Sequence, residues 1–299
     1  MQELDIVTGL SQRFVQEYEA TVADVPTVTL EGPCNSYIGS LLFWSLFQSG
    51  TSTATVSGTN TRMTCVPYTD SAPEMYFSVV KAMVDPSTSM SVDTYSHYYT
   101  GAMVKTLTLS TEERMVVQYS AEVLGTGFNT ASAGDFTNTA QWTQLAFPTK
   151  TTSWRWQDFT VEWATVAANV LNLNLTFTNN ANAVYYNNDS IQGYKLGKMG
   201  VTGDFFIPWS AFTDGNDPVT KYEAGTDFGL EFYTTDGAGQ DTTSNDVDIA
   251  LNVKVTELES TGDVETGWNV NVEGLYDGTN AAMNVQMSYL TATLVRSVV

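Results

Sequence analysis

The sequence predicts an all-β protein, an antiparallel β-sandwich or barrel with one or two short α-helices, and three observations carry that prediction. Several segments alternate apolar and polar residues at a period of two, the pattern of a strand with one dry and one wet face. The chain holds 43 Thr among its 299 residues, and Thr packs well on a pleated surface but loses side-chain freedom in a helix. Clusters such as DGND, DGAGQD and YDGTN separate the alternating segments, and these residue types tolerate the backbone of tight turns.

The first clear element is a helix. Over Tyr37 to Phe47, Asn35 or Ser36 can cap the N-terminus, Tyr37, Leu41 and Trp44 recur at i, i+4 and i+7, and Gly50 can take the left-handed conformation that ends it. The other faces are apolar too, so the helix is expected to be buried between sheets or against a neighbouring chain, with Tyr37, Leu41 and Trp44 as the candidate buried stripe. Gly39, Ser40 and Ser45 interrupt the run, which is well short of the roughly 20 residues that cross a bilayer.

Strands follow near MYFSVVKAM and GAMVKTLTLS. RMVVQYSAEVLG points Met115, Val117, Tyr119 and Val123 inward. In NVLNLNLTF, Leu171, Leu173, Leu175 and Phe177 face one way and Asn172, Asn174 and Thr176 the other. A second, shorter helix is predicted over PVTKYEA, with Asp217 as cap, Pro218 at the first helical position and Gly225 as stop. Beyond it lie strands at DFGLEF, at DIALNVKV with Ile249, Leu251, Val253 and Val255 inward, at WNVNVEG with Trp268, Val270 and Val272 inward, and at MNVQMSYL.

The order of these elements suggests a duplication. Helix and strands near MYFSVVKAM, GAMVKTLTLS and MVVQYSAEVLG run parallel to helix and strands near LEFYTT, DIALNVKV and WNVNVEGLY. The expected division is a first β unit at residues 1–150 and a second at 151–299, with a polar connector from Lys150 to Ser153. One elaborated domain of the same length is the other reading.

Charge excludes whole classes of function. With 12 Lys+Arg against 33 Asp+Glu the net charge is -21, so a basic surface that grips phosphate or anionic lipid is not expected. Acidity with little Lys also suits solubility in salty water. Cys34 and Cys65 form no C-x-x-C pair and are read as two free thiols, with one disulfide between them as the other reading. The start, MQELDIVTGL, carries Glu3 and Asp5 where a secretory leader needs positive charge.

No catalytic, cofactor-binding or metal site is predicted. His97 is the single histidine, and its setting, TYSHYYTG, reads as a packed strand edge and not as the base of a Ser-His-Asp triad. There is neither a G-x-x-x-x-G-K-[ST] loop nor an H-E-x-x-H helix. The acidic turns at 214–218 and 236–241 lack calcium-loop spacing. The most acidic segment, TELESTGDVETGW, holds Glu257, Glu259, Asp263 and Glu265 between two strands. Continued alternation would put Leu251, Val253, Val255, Glu257 and Glu259 on one face, so that the apolar side turns acidic as the strand leaves the core.

HYYTGAMVKTLTLSTEERMVVQYSAEVLGTG resembles the segment of tailed-phage tail tube proteins in which a glycine-marked strand and two further strands form one wall of the tube. GYKLGKMGVTGDFFIPWSAF with EAGTDFGLEFY resembles the later segment of that family, and DIALNVKV through MNVQMSYLTATLV resembles its closing sheet. The likeness to the siphovirus-like major tail tube protein family spans most of residues 30–295. It implies a structural virion protein without catalysis or cofactor, assembling with itself into rings of three or six chains that stack around a channel. Tape measure and tail terminator proteins would be further partners, and double-stranded DNA would pass without specific binding. The protein would be a virion tail component, assembled in the host cytoplasm with no membrane contact. Glu257, Glu259, Asp263 and Glu265 then become candidates for the channel wall, where carboxylates repel phosphates, against the plainer reading of a solvated hairpin tip. The arm up to Pro26 and the end TLVRSVV are candidates to reach the next subunit. A rival from another class is a β-sandwich carbohydrate-binding or adhesion module, since seven Trp and 15 Tyr offer rings for stacking on sugars.

Overall fold

The computed structural model describes residues 25–49, 51–54, 60–68, 76–81, 97–130, 153–185, 191–209, 216–234, 246–261, 266–275 and 283–290. The chain begins with β1 (Thr27–Pro33), α1 (Ser36–Phe47), β2 (Thr51–Ala54), β3 (Asn60–Cys65), β4 (Phe77–Lys81), β5 (His97–Thr111), β6 (Gln118–Leu124) and β7 (Gly127–Thr130). A 3₁₀ turn at Trp156–Asp158 leads to β8 (Thr160–Trp163), β9 (Val166–Ala168), β10 (Leu173–Thr178), β11 (Asn182–Val184), β12 (Gly193–Lys195) and β13 (Gly200–Pro208). The last group is α2 (Pro218–Ala224), β14 (Phe228–Tyr233), β15 (Val247–Thr261), β16 (Gly267–Leu275) and β17 (Met283–Leu290).

All pairings among the described residues are antiparallel, as the alternation predicts. The first sheet runs β1-β6-β5-β10-β13-β16-β15. The second joins β9, β8 and β14 to β15 on one side, and β17, β3 and β2 on the other. β15 belongs to both. Its first half pairs with β14 and β17, its second half with β16, and a β-bulge falls between Val255 and Glu257 at the change of partner. Strands that pass from one layer of a sandwich to the other turn at such irregularities. Gly274 of β16 makes room there, because a Cβ on it would lie 2.6 Å from the Asn252 carbonyl oxygen. β5 is built the same way: residues 97–102 pair with β4 and β7, residues 103–111 with β6 and β10, and a bulge lies between Val104 and Thr106.

The expected division near residue 150 separates neither sheet nor core. β10 pairs with β5, β17 pairs with β3, and one cluster of buried residues extends from Cys34 to Met287. Aromatic edges lock it: Phe177 meets Phe43 at 5.2 Å and Phe47 at 6.4 Å, and Trp163 meets Phe228 at 4.4 Å. Both cysteines are free and buried.

α1 lies between the layers, touching β5 of the first sheet and β3 and β17 of the second. Asn35 is its cap, accepting from the Ile38 N–H at 2.9 Å. Its ending corrects one expectation, since Gln48 takes the left-handed position at φ 56 and Gly50 lies outside the described residues. Its orientation corrects another. Ser36, Gly39, Ser40, Leu42, Phe43, Ser45, Leu46 and Phe47 are buried, Tyr37 and Trp44 only partly, and Leu41 is 46 % exposed. The small residues decide this. A Cβ on Gly39 would meet the Trp154 ring at 2.8 Å, and Ser36 Oγ donates to the Asp246 carbonyl at 3.0 Å, so this face approaches its neighbours more closely than one carrying Tyr, Leu and Trp can. Met115, expected inward, is 58 % exposed because it falls in the turn between β5 and β6.

α2 matches its prediction: Asp217 accepts from the Thr220 N–H at 2.9 Å, and Gly225 ends the helix at φ 59. No helix among the described residues is long and apolar enough to cross a membrane.

Candidate functional site

In a paired antiparallel sheet, residues directly opposite each other share a face, so the registers show what the first sheet presents outward. One row runs Glu31, Ser120, Thr108, Thr176, Thr202, Glu273, Lys254. The next runs Gln118, Ser110, Asn174, Asp204, Asn271, Glu257. None of these side chains is buried. The intervening positions Leu107, Leu109, Leu175, Phe177, Val201 and Val272 are all buried in the core. The polar face therefore continues unbroken over seven strands, from two halves of the chain distant in sequence.

This face is net acidic. Carboxylates come from Glu31, Glu122, Asp204, Glu257, Glu259 and Glu273, against the ammonium groups of Lys105 and Lys254. Lys105 reaches Glu122 at 3.2 Å. Local hydrogen bonds set the surface: Ser120 Oγ donates to Glu31 at 3.2 Å, Thr108 and Thr176 hydroxyls meet at 3.0 Å, and Asn271 Nδ2 donates to Glu257 at 2.7 Å. Asn174, Thr202, Asp204, Thr256, Asn271 and Glu273 border a shallow open trough. Such a surface repels polyanions and offers no enclosed pocket to a small molecule.

The bulge corrects the expected placement of the acids. Val255 lies opposite Val272 on the core face, but the extra residue Thr256 reverses the phase, so Glu257 lies opposite Asn271 and Glu259 opposite Asn269. Both acids are exposed on the polar face with Lys254, and Leu258 takes the inward place opposite Val270. Asp263 and Glu265 lie outside the described residues. Alternation in the sequence places Asn174 on a wet face and marks the strand of Asn271 and Glu273, whereas β13, which carries Thr202 and Asp204, is not among the strands that alternation predicts.

A second polar group sits on the outer face of the second sheet. Tyr233 donates from its hydroxyl to Glu162 at 2.9 Å, Glu162 lies opposite Glu231, and Tyr233 lies opposite Asp248. Burial pushes the Asp248 carboxyl up to about 7, and the Glu231 carboxylate that it hydrogen-bonds adds to this, while Arg62 opposes it. Burial also pushes the Cys65 thiol up to about 12 and that of Cys34 higher still. Among the described residues, no group of three or more His, Cys, Asp or Glu side chains is placed to hold a metal ion. His97 opens β5, its backbone between Lys81 and Thr130.

Of the tryptophans, Trp154, Trp156 and Trp163 are core residues, while Trp209 is 68 % exposed and stacks on Trp268 at 5.2 Å. No curated protein matches the chain. A family model does: the one described as phage tail tube protein matches residues 16–284.

Proposed function

With the chain a member of the phage tail tube protein family, and hence a structural subunit of a virion tail, we propose that the polar face of its first sheet is the wall of the channel that carries double-stranded DNA. The observation that carries this reading is the continuity of that face: seven strands present Thr, Ser, Asn and carboxylates on one side and core on the other. A duplex sliding past such a wall meets repulsion at each phosphate and no cationic well to hold it. Glu257 and Glu259 contribute to that repulsion.

The family supports a tube built from many copies of the chain. In the finer reading these form rings of three or six chains, the rings stack, tape measure and tail terminator proteins meet the tube, and assembly takes place in the host cytoplasm. The role requires no catalysis. Nothing in the fold favours the carbohydrate-binding alternative, and stacking within the core accounts for Trp154, Trp156 and Trp163.

The test replaces Asp204, Glu257, Glu259 and Glu273 with Lys. Tubes of the variant should retain duplex DNA at low salt and release it as salt rises, as a phosphate-binding surface does. Variant tubes that bind no more DNA than wild-type tubes place this face away from the channel.

A further inference from the structure

One arrangement occurs twice in this chain. Leaving aside the β2–β3 hairpin, the series β1, α1, β4, β5, β6, β7 corresponds to β13, α2, β14, β15, β16, β17. The pairings correspond one by one. β1 pairs with β6 as β13 pairs with β16; β5 pairs with β6, β4 and β7 as β15 pairs with β16, β14 and β17. α1 packs on β5 as α2 packs on β15.

The registers correspond as well. Val104 lies opposite Val123 just before the bulge in β5, and Val255 lies opposite Val272 just before the bulge in β15. Both bulges skip a single residue, Lys105 in one and Thr256 in the other. β1 and β13 each end in a proline, Pro33 opposite Gln118 and Pro208 opposite Gly267. Two unrelated stretches of β-structure would not share strand order, partners, bulge and register together.

The two units differ at one edge. In the first, residues 106–110 of β5 are flanked on both sides, by β6 and by β10. In the second, the corresponding residues of β15 pair with β16 alone among the described residues. Leu107 is completely buried, whereas its counterpart Leu258 is only half-buried and Ser260, the counterpart of the buried Leu109, is exposed. Likewise Cys34, which follows Pro33, is buried, and Trp209, which follows Pro208, is 68 % exposed. Among the described residues, the second unit lacks the cover that β10 gives the first.

Strand direction fixes what can supply it. β10 is antiparallel to both β5 and β13, so β5 and β13 run the same way and one strand must stand between them. By correspondence, β15 of one copy and β1 of the next run the same way and need one intervening strand. β10 comes from the chain ahead of β13, so its equivalent is the chain ahead of β1. We propose that the chain is a tandem pair of one tube unit and that residues 257–261 of β15 take up, as an antiparallel strand, the segment ahead of β1 (residues 1–24) from the next copy in the ring. This rests on the tube reading above and names its ring contact.

Hydrogen–deuterium exchange on the full-length protein, dissociated and assembled, tests it. On assembly the amides of 257–261 and peptides within 1–24 should slow about tenfold or more, as amides do when they enter a ladder, while α1 exchanges unchanged. Leu258→Lys should keep the circular dichroism and melting temperature of the dissociated chain but form no rings. Rings in which 257–261 exchange as in the free chain, or in which Leu258→Lys assembles like the wild type, overturn the edge assignment and leave the tube reading standing. Protection of 257–261 with unchanged exchange in 1–24 overturns the assignment of the donor strand. A chain that forms no rings at all overturns the proposal together with the tube reading.

Discussion

Asn179 Nδ2 donates to the carbonyl of Val104 at 2.8 Å, at the residue where β5 departs from regular pairing. The same amide reaches the Leu46 carbonyl at 3.2 Å, and Asn179 Oδ1 accepts from the Ala181 N–H at 3.1 Å. The Val104 N–H in turn donates to Ser45 Oγ at 3.0 Å. Two buried side chains thus take both backbone groups of one residue at the bulge and tie it to the end of α1.

Replacing Asn179 with Leu should therefore destabilise the fold by about 1–3 kcal/mol, because buried carbonyl and N–H groups lose their partners. Ser45→Ala should cost a similar amount, and the double variant less than the two together, since both act on Val104. Urea midpoints at constant slope measure this, and a strictly additive pair would show that the two side chains act independently.

Stability should fall as pH rises through the neutral range. The folded chain holds the Asp248 proton up to about 7, against an ordinary carboxyl value near 4 (about 3.9). The folded state therefore binds this proton more tightly than the unfolded chain. Its contribution is whole below about pH 4 and is lost as pH climbs through 7. Asp248→Asn cannot ionise, so its melting temperature should decline less than that of the wild type between pH 5 and pH 8, Glu231, Glu162 and Arg62 being common to both. Equal declines would remove Asp248 as the cause.

Salt should promote assembly. Each chain carries a net charge of -21, and at 0.1 M salt the screening length is about 10 Å, which weakens repulsion between neighbours. Sedimentation across a salt series should show larger particles as salt rises, and a constant monomer at every concentration would contradict it.

The thiols should be inert in the folded protein. Cys34 and Cys65 are buried, and burial raises both far above the range in which thiolate forms. A thiol reagent at pH 8 should label neither until denaturant is added, and then both. Labelling of the native chain would indicate an opening of the core near α1.

Much of this fold was legible in the sequence because alternation reports directly which side of a strand is wet. Leu173, Leu175 and Phe177 were read correctly from that signal alone, and so were Ile249 to Val255. The Thr256 bulge was not. An extra residue leaves little mark in a stretch such as TELES, where Leu258 is the lone apolar residue, so unbroken alternation from Val255 carries the phase one residue too far and puts Glu257 and Glu259 on the wrong face. Leu41 failed for another reason. A helix apolar on nearly every side gives no stripe to follow, and the close approach of Gly39 to Trp154 depends on contacts across 115 positions of sequence. The polar face was visible strand by strand but not as one surface, because its rows join residues as far apart as Glu31 and Glu273, which only the registers bring together.

β15 is one covalent strand with its first half in one layer and its second half in the other. Sliding one layer over the other would have to stretch that backbone or strip its ladders at Val255, and neither yields gradually. A wall made of such subunits bends as a single beam and not as two loose plies, so its stiffness rises with the full thickness of the sandwich and not with that of either sheet.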